Sequence, residues 1–152
     1  MTRSLDDAPA RAALISRLRT MAPSSVRQWG RMSPHQAMCH LGDAFRSVMS
    51  PVPIASRSNV FGRTVIRFMA LHSGLTWPHG VRTVPEVDQE VGGTRPVEFA
   101  LDQEALEAAM QQFATRTQDT LQPHPIFGPL TTREWQRWGW LHVDHHLRQF
   151  GA

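Results

Sequence analysis

The sequence has 152 residues, 41% hydrophobic and 19% charged, with 10 glycines and 11 prolines, the make-up of one globular domain covering residues 1–152. A chain of this length hides roughly two thirds of its unfolded surface on folding, so it needs no disulfide framework, and its single cysteine, Cys39, excludes one. No apolar run nears the roughly 18 residues that span a bilayer, and Asp6, Asp7, Arg11, Arg17 and Arg19 interrupt the first apolar stretch, so the expectation is a cytoplasmic, reducing setting with no membrane partner.

The pI of about 10.8 suggests nucleic acid, but the net charge is only +3. All 16 basic residues are arginine and there is no tyrosine, so almost nothing sheds positive charge until arginine titrates above about pH 12. The pI therefore reports a missing buffer. The arginines are scattered, with sets such as Arg57, Arg63 and Arg67 well spaced, and lack the interleaved aromatics of a strand-binding groove, so no nucleic-acid partner is expected.

In chain order, Asp7 and Pro9 open a helix over about 8–22, with Leu14, Leu18 and Met21 at helical spacing and Pro23 as the stop. Ser33-Pro34-His35-Gln36 is a capping box with proline at the first helical position, starting a second helix that ends before Pro51. An additional helix is expected from about Asn59 to Leu71, with Val65, Phe68 and Met69 as its apolar residues. Pro78, Gly80, Pro85, Gly92, Gly93 and Pro96 punctuate the stretch from Ser73 to Ala100 and leave no sustained period, which reads as a long irregular connection of the kind that often carries function. Asp102 is expected to cap the next helix, with Leu106, Met110 and Phe113 as its buried stripe. After a loop from Pro123 to Pro129, Thr131-Thr132-Arg133-Glu134 forms another capping box, with Leu130 and Trp135 placed as a hydrophobic staple, and the last helix runs to about Phe150 with Gly151 supplying its terminal turn. No βαβ alternation or repeat appears. The pattern predicts an all-α four-helix bundle with one extra helix and a long crossover.

Eight histidines raise the question of metal. His142 and His146 are four residues apart, so both rings leave one helix face, within about 20° of the direction of Trp135, which should face the core. In the second helix His40 lies within about 60° of the stripe Ala37, Leu41, Ala44 and Val48. Two imidazoles from one helix and one from another would make a three-nitrogen site with a fourth position open to water or substrate. The competing reading is a set of hydrogen-bonded core histidines.

The segments Trp29-Gly30-Arg31-Met32-Ser33-Pro34-His35-Gln36-Ala37-Met38-Cys39-His40-Leu41 and His142-Val143-Asp144-His145-His146-Leu147-Arg148-Gln149-Phe150-Gly151 resemble the DinB-like (YfiT-like) metalloenzymes, and more closely an uncharacterised short branch of that superfamily. Trp77-Pro78-His79-Gly80, Gly92-Gly93-Thr94 and His124-Pro125-Ile126-Phe127-Gly128 look like that branch's loops, so the resemblance covers nearly the whole chain. It implies an up-down-down-up four-helix bundle and a divalent metal on three histidines, which fall on His40, His142 and His146. Some members of the superfamily use a low-molecular-weight thiol to attack an electrophile, whereas the short branch has no agreed substrate.

Among the remaining residues, His145 would flank the site or support a ligand, Asp43 would orient a ligand or stand solvated on its helix, and Gln149 would contact a bound ligand or the next helix. Cys39 points about 100° away from His40, which disfavours a Cys–His nucleophile pair and leaves a small packed residue. Phe45, Trp135, Trp138 and the methionines read as core. His35, His72, His79 and His124 read as surface or loop residues, while Arg82 and Arg95 on the connection would suit an anionic substrate.

The function expected is a divalent-metal-dependent enzyme, with Zn²⁺ or Ni²⁺ as the ion and a small molecule as substrate. The ion would bring the pKa of a thiol or water near neutrality. The resemblance favours transfer of a thiol cosubstrate to a small electrophile, with metal-assisted hydrolysis behind it. The alternative is a metal-free helical module, with a homodimer as its expected assembly, that binds a small apolar ligand.

Overall fold

The computed structural model describes residues 3–152, and the elements among them are all helical. The α-helices are α1 (Ala8–Leu18), α2 (Pro34–Met49), α3 (Arg67–Leu71), α4 (Phe99–Ala114) and α5 (Thr132–Gln149). The four longer ones bury the expected stripes against each other: Leu14 and Leu18 from α1, Leu41 and Phe45 from α2, Leu106, Met110 and Phe113 from α4, and Trp135 and Leu147 from α5. Ion pairs at the rim reinforce the packing, Arg17 reaching Asp144 on α5 at 2.6 Å and Arg19 clamping Glu107 on α4. No described helix is long and apolar enough to cross a membrane.

Both capping boxes form. The Ser33 hydroxyl accepts the Gln36 N–H at 3.1 Å, the Gln36 side chain accepts the Ser33 N–H at 2.8 Å, and Thr131 and Glu134 repeat the exchange at the start of α5. These caps fix the starting points of the two helices that carry the histidines. At the far end of α5, Gly151 adopts φ +71°. The Gly151 and Ala152 N–H groups close back onto the carbonyls of Arg148 and Leu147, the Schellman pattern that a left-handed residue permits.

Two boundaries differ from the sequence reading. Helix α1 ends at Leu18, because Thr20 and Met21 turn back onto Arg17 and Leu18. Helix α4 begins at Phe99, capped by Glu98, whose carboxylate accepts the Ala100 and Leu101 N–H groups, so Asp102 is not the cap but lies inside the first turn. Its carboxylate is thereby free to reach other elements.

The segment expected as a helix over about 59–71 is helical, with a π-helical turn at Gly62–Ile66 running into α3, but its apolar residues do not form a buried stripe. Val65, Phe68 and Met69 are 47%, 59% and 44% exposed. Polar contacts on the opposite side hold the segment: the Arg67 guanidinium bonds both carboxylate oxygens of Glu134 and the Pro129 carbonyl. Gly62 and Leu71 are its buried residues.

The connection between α3 and α4 is irregular apart from a 3₁₀ turn at Pro85–Val87. Asp43, in the middle of α2, pins it down. Its carboxylate accepts the Thr94 N–H and hydroxyl, each at 2.7 Å, and the Gln89 amide at 2.9 Å. Arg31 holds the neighbouring Asp88. The connection is therefore laid across α2 beside His40.

Candidate metal centre

His40, on α2, and His142 and His146, one turn apart on α5, converge. One ring nitrogen from each lies within 4.8 Å of the others, and the ring centroids are 4.9–5.2 Å apart. The Nε2 atoms of His40 and His142 are 3.1 Å apart. Two imidazole nitrogens sharing a tetrahedral zinc at 2.0–2.1 Å would be about 3.3 Å apart, so little movement separates this arrangement from one that shares an ion.

The hydrogen bonds set which nitrogen is available. His40 Nδ1 lies 2.8 Å from the Val87 carbonyl, an acceptor, so Nδ1 carries the proton and Nε2 keeps its lone pair. His146 Nδ1 lies 2.8 Å from Gln149 Oε1. The Gln149 amide nitrogen donates to the Trp29 carbonyl at 2.9 Å, which orients Oε1 toward the ring and leaves His146 Nε2 with its lone pair as well. His142 turns its Nε2 toward His40, while its Nδ1 is buried with no hydrogen-bond partner. Gly30 makes the Gln149 relay possible. It sits at φ +76°, and a Cβ there would meet Gln149 Nε2 at 2.6 Å.

Burial pushes all three imidazoles below the usual histidine range, His142 and His146 well below it with further lowering by their histidine neighbours, while at His40 the Val87 carbonyl, Asp43 and Asp88 oppose the shift. All are neutral at pH 7, the state in which imidazole binds metal. The residues present fit a divalent cation. His40 is buried, while His142 and His146 keep some exposure on one side.

That side is framed by aromatic rings. Trp29 stacks on His79 with centroids 3.9 Å apart and planes 7° from parallel, and Trp77 lies 5.9 Å from His142 and from His145. The His145 ring lies 5.3 Å from the His146 ring. Burial, and then Arg148 and His79, hold it down to about 4, so it adds no charge at pH 7.

The other weighed residues fall differently. Asp43 is not a solvated helical aspartate, since its oxygens anchor the connection. Cys39 is packed, and its neighbours are His35 and Asp102 rather than a histidine at the centre. Burial, and then Asp102, push the Cys39 thiol up to about 12, which leaves it a poor nucleophile. His35 is not simply a surface residue, because its Nε2 lies 2.6 Å from Asp102 Oδ2. His124 is likewise buried, stacked on Phe127 at 4.2 Å, with Nδ1 accepting the Ile126 and Phe127 N–H groups. Met69 is exposed, whereas Met21, Met38 and Met110 lie in the core. Arg82 and Arg95 are exposed on the connection.

The Val87 carbonyl escaped sequence reasoning, because a backbone group leaves no signature. The rings of Trp29, Trp77 and His79 could have been found, since two of them sit in the short motif Trp77-Pro78-His79-Gly80 within a glycine- and proline-rich connection.

A helical bundle with three inward imidazoles from two helices, two of them tied at Nδ1 by a loop carbonyl and a side-chain amide, defines a protein with a candidate metal centre. The chain belongs to a family described as a protein of unknown function (DUF1569), whose model matches residues 2–152. Neither the curated proteins nor the solved structures gave a match to the chain.

Proposed function

We propose that this protein is a divalent-metal-dependent enzyme in which His40, His142 and His146 hold the ion, and that it transfers a low-molecular-weight thiol to a small electrophile. One observation carries the metal reading: the Nδ1 atoms of His40 and His146 both face fixed acceptors, so their Nε2 lone pairs are directed to the place where His142 also arrives. A hydrogen-bonded core needs only one such alignment. The resemblance to the DinB-like superfamily supports the thiol-transfer class. Zn²⁺ and Ni²⁺ both suit three imidazoles.

When bound, the ion would act as a Lewis acid that stabilises the anionic form of a nucleophile at neutral pH. The chain's own residues do the rest. The Val87 carbonyl and Gln149 hold two rings in fixed tautomers, so the site spends no free energy reorganising them. Trp29, Trp77, His79 and His145 frame the exposed side and offer flat surfaces to a small substrate while narrowing access for water. Among the described residues the rings' hydrogen-bond partners are a carbonyl and an amide rather than a carboxylate, so the rings remain neutral donors, with Asp43 and Asp88 near His40 adding negative charge around the ion.

Elemental analysis of untagged protein purified without chelator should find stoichiometric transition metal, and added Zn²⁺ or Ni²⁺ should raise the melting temperature, because ligand bound only to the native state stabilises it. The variant His142→Ala should lose that metal with its helical circular dichroism intact. A screen of thiol consumption over generic electrophiles then tests the reaction class. The 3.1 Å contact between His40 and His142 favours a second reading, a metal-free module in which one imidazole donates to the other. That reading prevails if neither metal content nor a thermal shift is found.

A further inference from the structure

A second cluster lies on α2 away from the three histidines. His35 and Cys39 are one turn apart and share a helix face, and Asp102, in the first turn of α4, meets them. His35 Nε2 is 2.6 Å from Asp102 Oδ2, and one donor atom from each of His35, Cys39 and Asp102 lies within 4.8 Å of the others. Cys39 is buried, but the His35 and Asp102 side chains keep 22% and 21% of their exposure, so the cluster opens to solvent at one edge.

The geometry points to a second metal site, in which His35 Nε2, Cys39 Sγ and Asp102 Oδ2 bind a borderline-soft divalent cation of the zinc class and join α2 to α4. The donor set carries the choice of ion: a thiolate and an imidazole select Zn²⁺ or Co²⁺ over Mg²⁺ and Ca²⁺, which take oxygen ligands. Bonds of 2.0–2.3 Å to such an ion set the donors about 3.3–3.8 Å apart. Reaching that spacing requires the His35–Asp102 hydrogen bond to open and both side chains to swing toward the thiol. Their place on the exposed edge allows this, and that edge also provides the fourth position. On binding, the thiol proton leaves to solvent, the hydrogen bond is exchanged for two bonds to the cation, and the charge of thiolate plus carboxylate balances that of the ion.

This site is independent of the proposed enzyme activity, since it shares no ligand with the three-histidine centre. Its consequence is structural. An ion between Cys39 and Asp102 fixes the stretch of α2 that also carries His40, the next residue in the chain.

Cobalt titration of metal-stripped full-length protein tests it. Cys39 is the only cysteine, so a thiolate-to-cobalt charge-transfer band can arise from this site alone. The wild type should develop that band and complete it by two equivalents, and His142→Ala should keep it and saturate it at one. Cys39→Ser should abolish the band while leaving the visible absorption of the three-histidine site, and His35→Gln should weaken cobalt binding in the band at least about tenfold. The inference is overturned if the wild type binds cobalt without charge transfer, or if it binds none; His35, Cys39 and Asp102 are then only a hydrogen-bonded contact between helices. Should Cys39→Ser fail to fold, the wild-type spectrum alone decides. Loss of the three-histidine reading would show separately, as unchanged metal stoichiometry in His142→Ala.

Discussion

His124 and His146 are both imidazoles taken out of water, and they differ in the direction of one hydrogen bond. His124 Nδ1 accepts two backbone N–H groups at 3.1 Å in the turn that leads toward α5. His146 Nδ1 instead gives its proton to Gln149 Oε1, leaving Nε2 bare and facing two other rings. Burial alone therefore does not make a histidine a ligand. The first ring has become part of the backbone's own hydrogen bonding, and the second is presented outward by its neighbours.

The sharpest way to break this contrast is to remove each ring in turn. His146→Ala should abolish stoichiometric zinc at the three-histidine centre, read by elemental analysis, with little change in helical circular dichroism. Retention of full zinc would dissolve the distinction. His124→Ala should behave in the opposite manner, keeping zinc but losing about 2–6 kcal/mol of stability in urea unfolding, because two sheltered N–H groups lose their acceptor at about 1–3 kcal/mol each. His124→Asn should recover part of the loss, since its side-chain oxygen accepts the same bonds.

A finer test addresses the residue that aims His146. Gln149→Leu should weaken zinc binding about 10–100-fold, or about 1.4–2.7 kcal/mol, without touching a ligand, measured by competition with a chromophoric chelator.

pH provides an effect of similar size. Burial holds His124 at about 3 against 6.5 for the free side chain. Between those values the unfolded chain binds the proton and the folded one does not, so the contribution is complete above about pH 6.5 and is lost as pH falls toward 3. From pH 7 to pH 5 this one histidine should cost about 2 kcal/mol. Metal-free wild type unfolded in urea at the two values should show a fall of at least that size, because the three central histidines are shifted in the same direction, and His124→Asn should show a smaller fall. The smallest effect concerns the rim: His79→Ala should cost about 1 kcal/mol or less, the worth of one stacked aromatic pair, and leave zinc binding as it was.

Local signals in the chain determined where the two important helices begin. Capping boxes at Ser33 and Thr131 act within four residues, and the placement of His142 and His146 on one face follows from helical pitch alone. The same periodicity misjudged Val65, Phe68 and Met69, because it reports that a face is apolar and not that anything covers it. Only the folded chain decided which groups meet across long separations. The Val87 carbonyl reaches His40 over 47 residues, and Asp102 reaches His35 over 67, displaced from the helix cap it resembled by Glu98 one turn earlier. A hydrogen bond's direction depends on what lies at its other end, and when that partner arrives from a distant segment no window of sequence contains both.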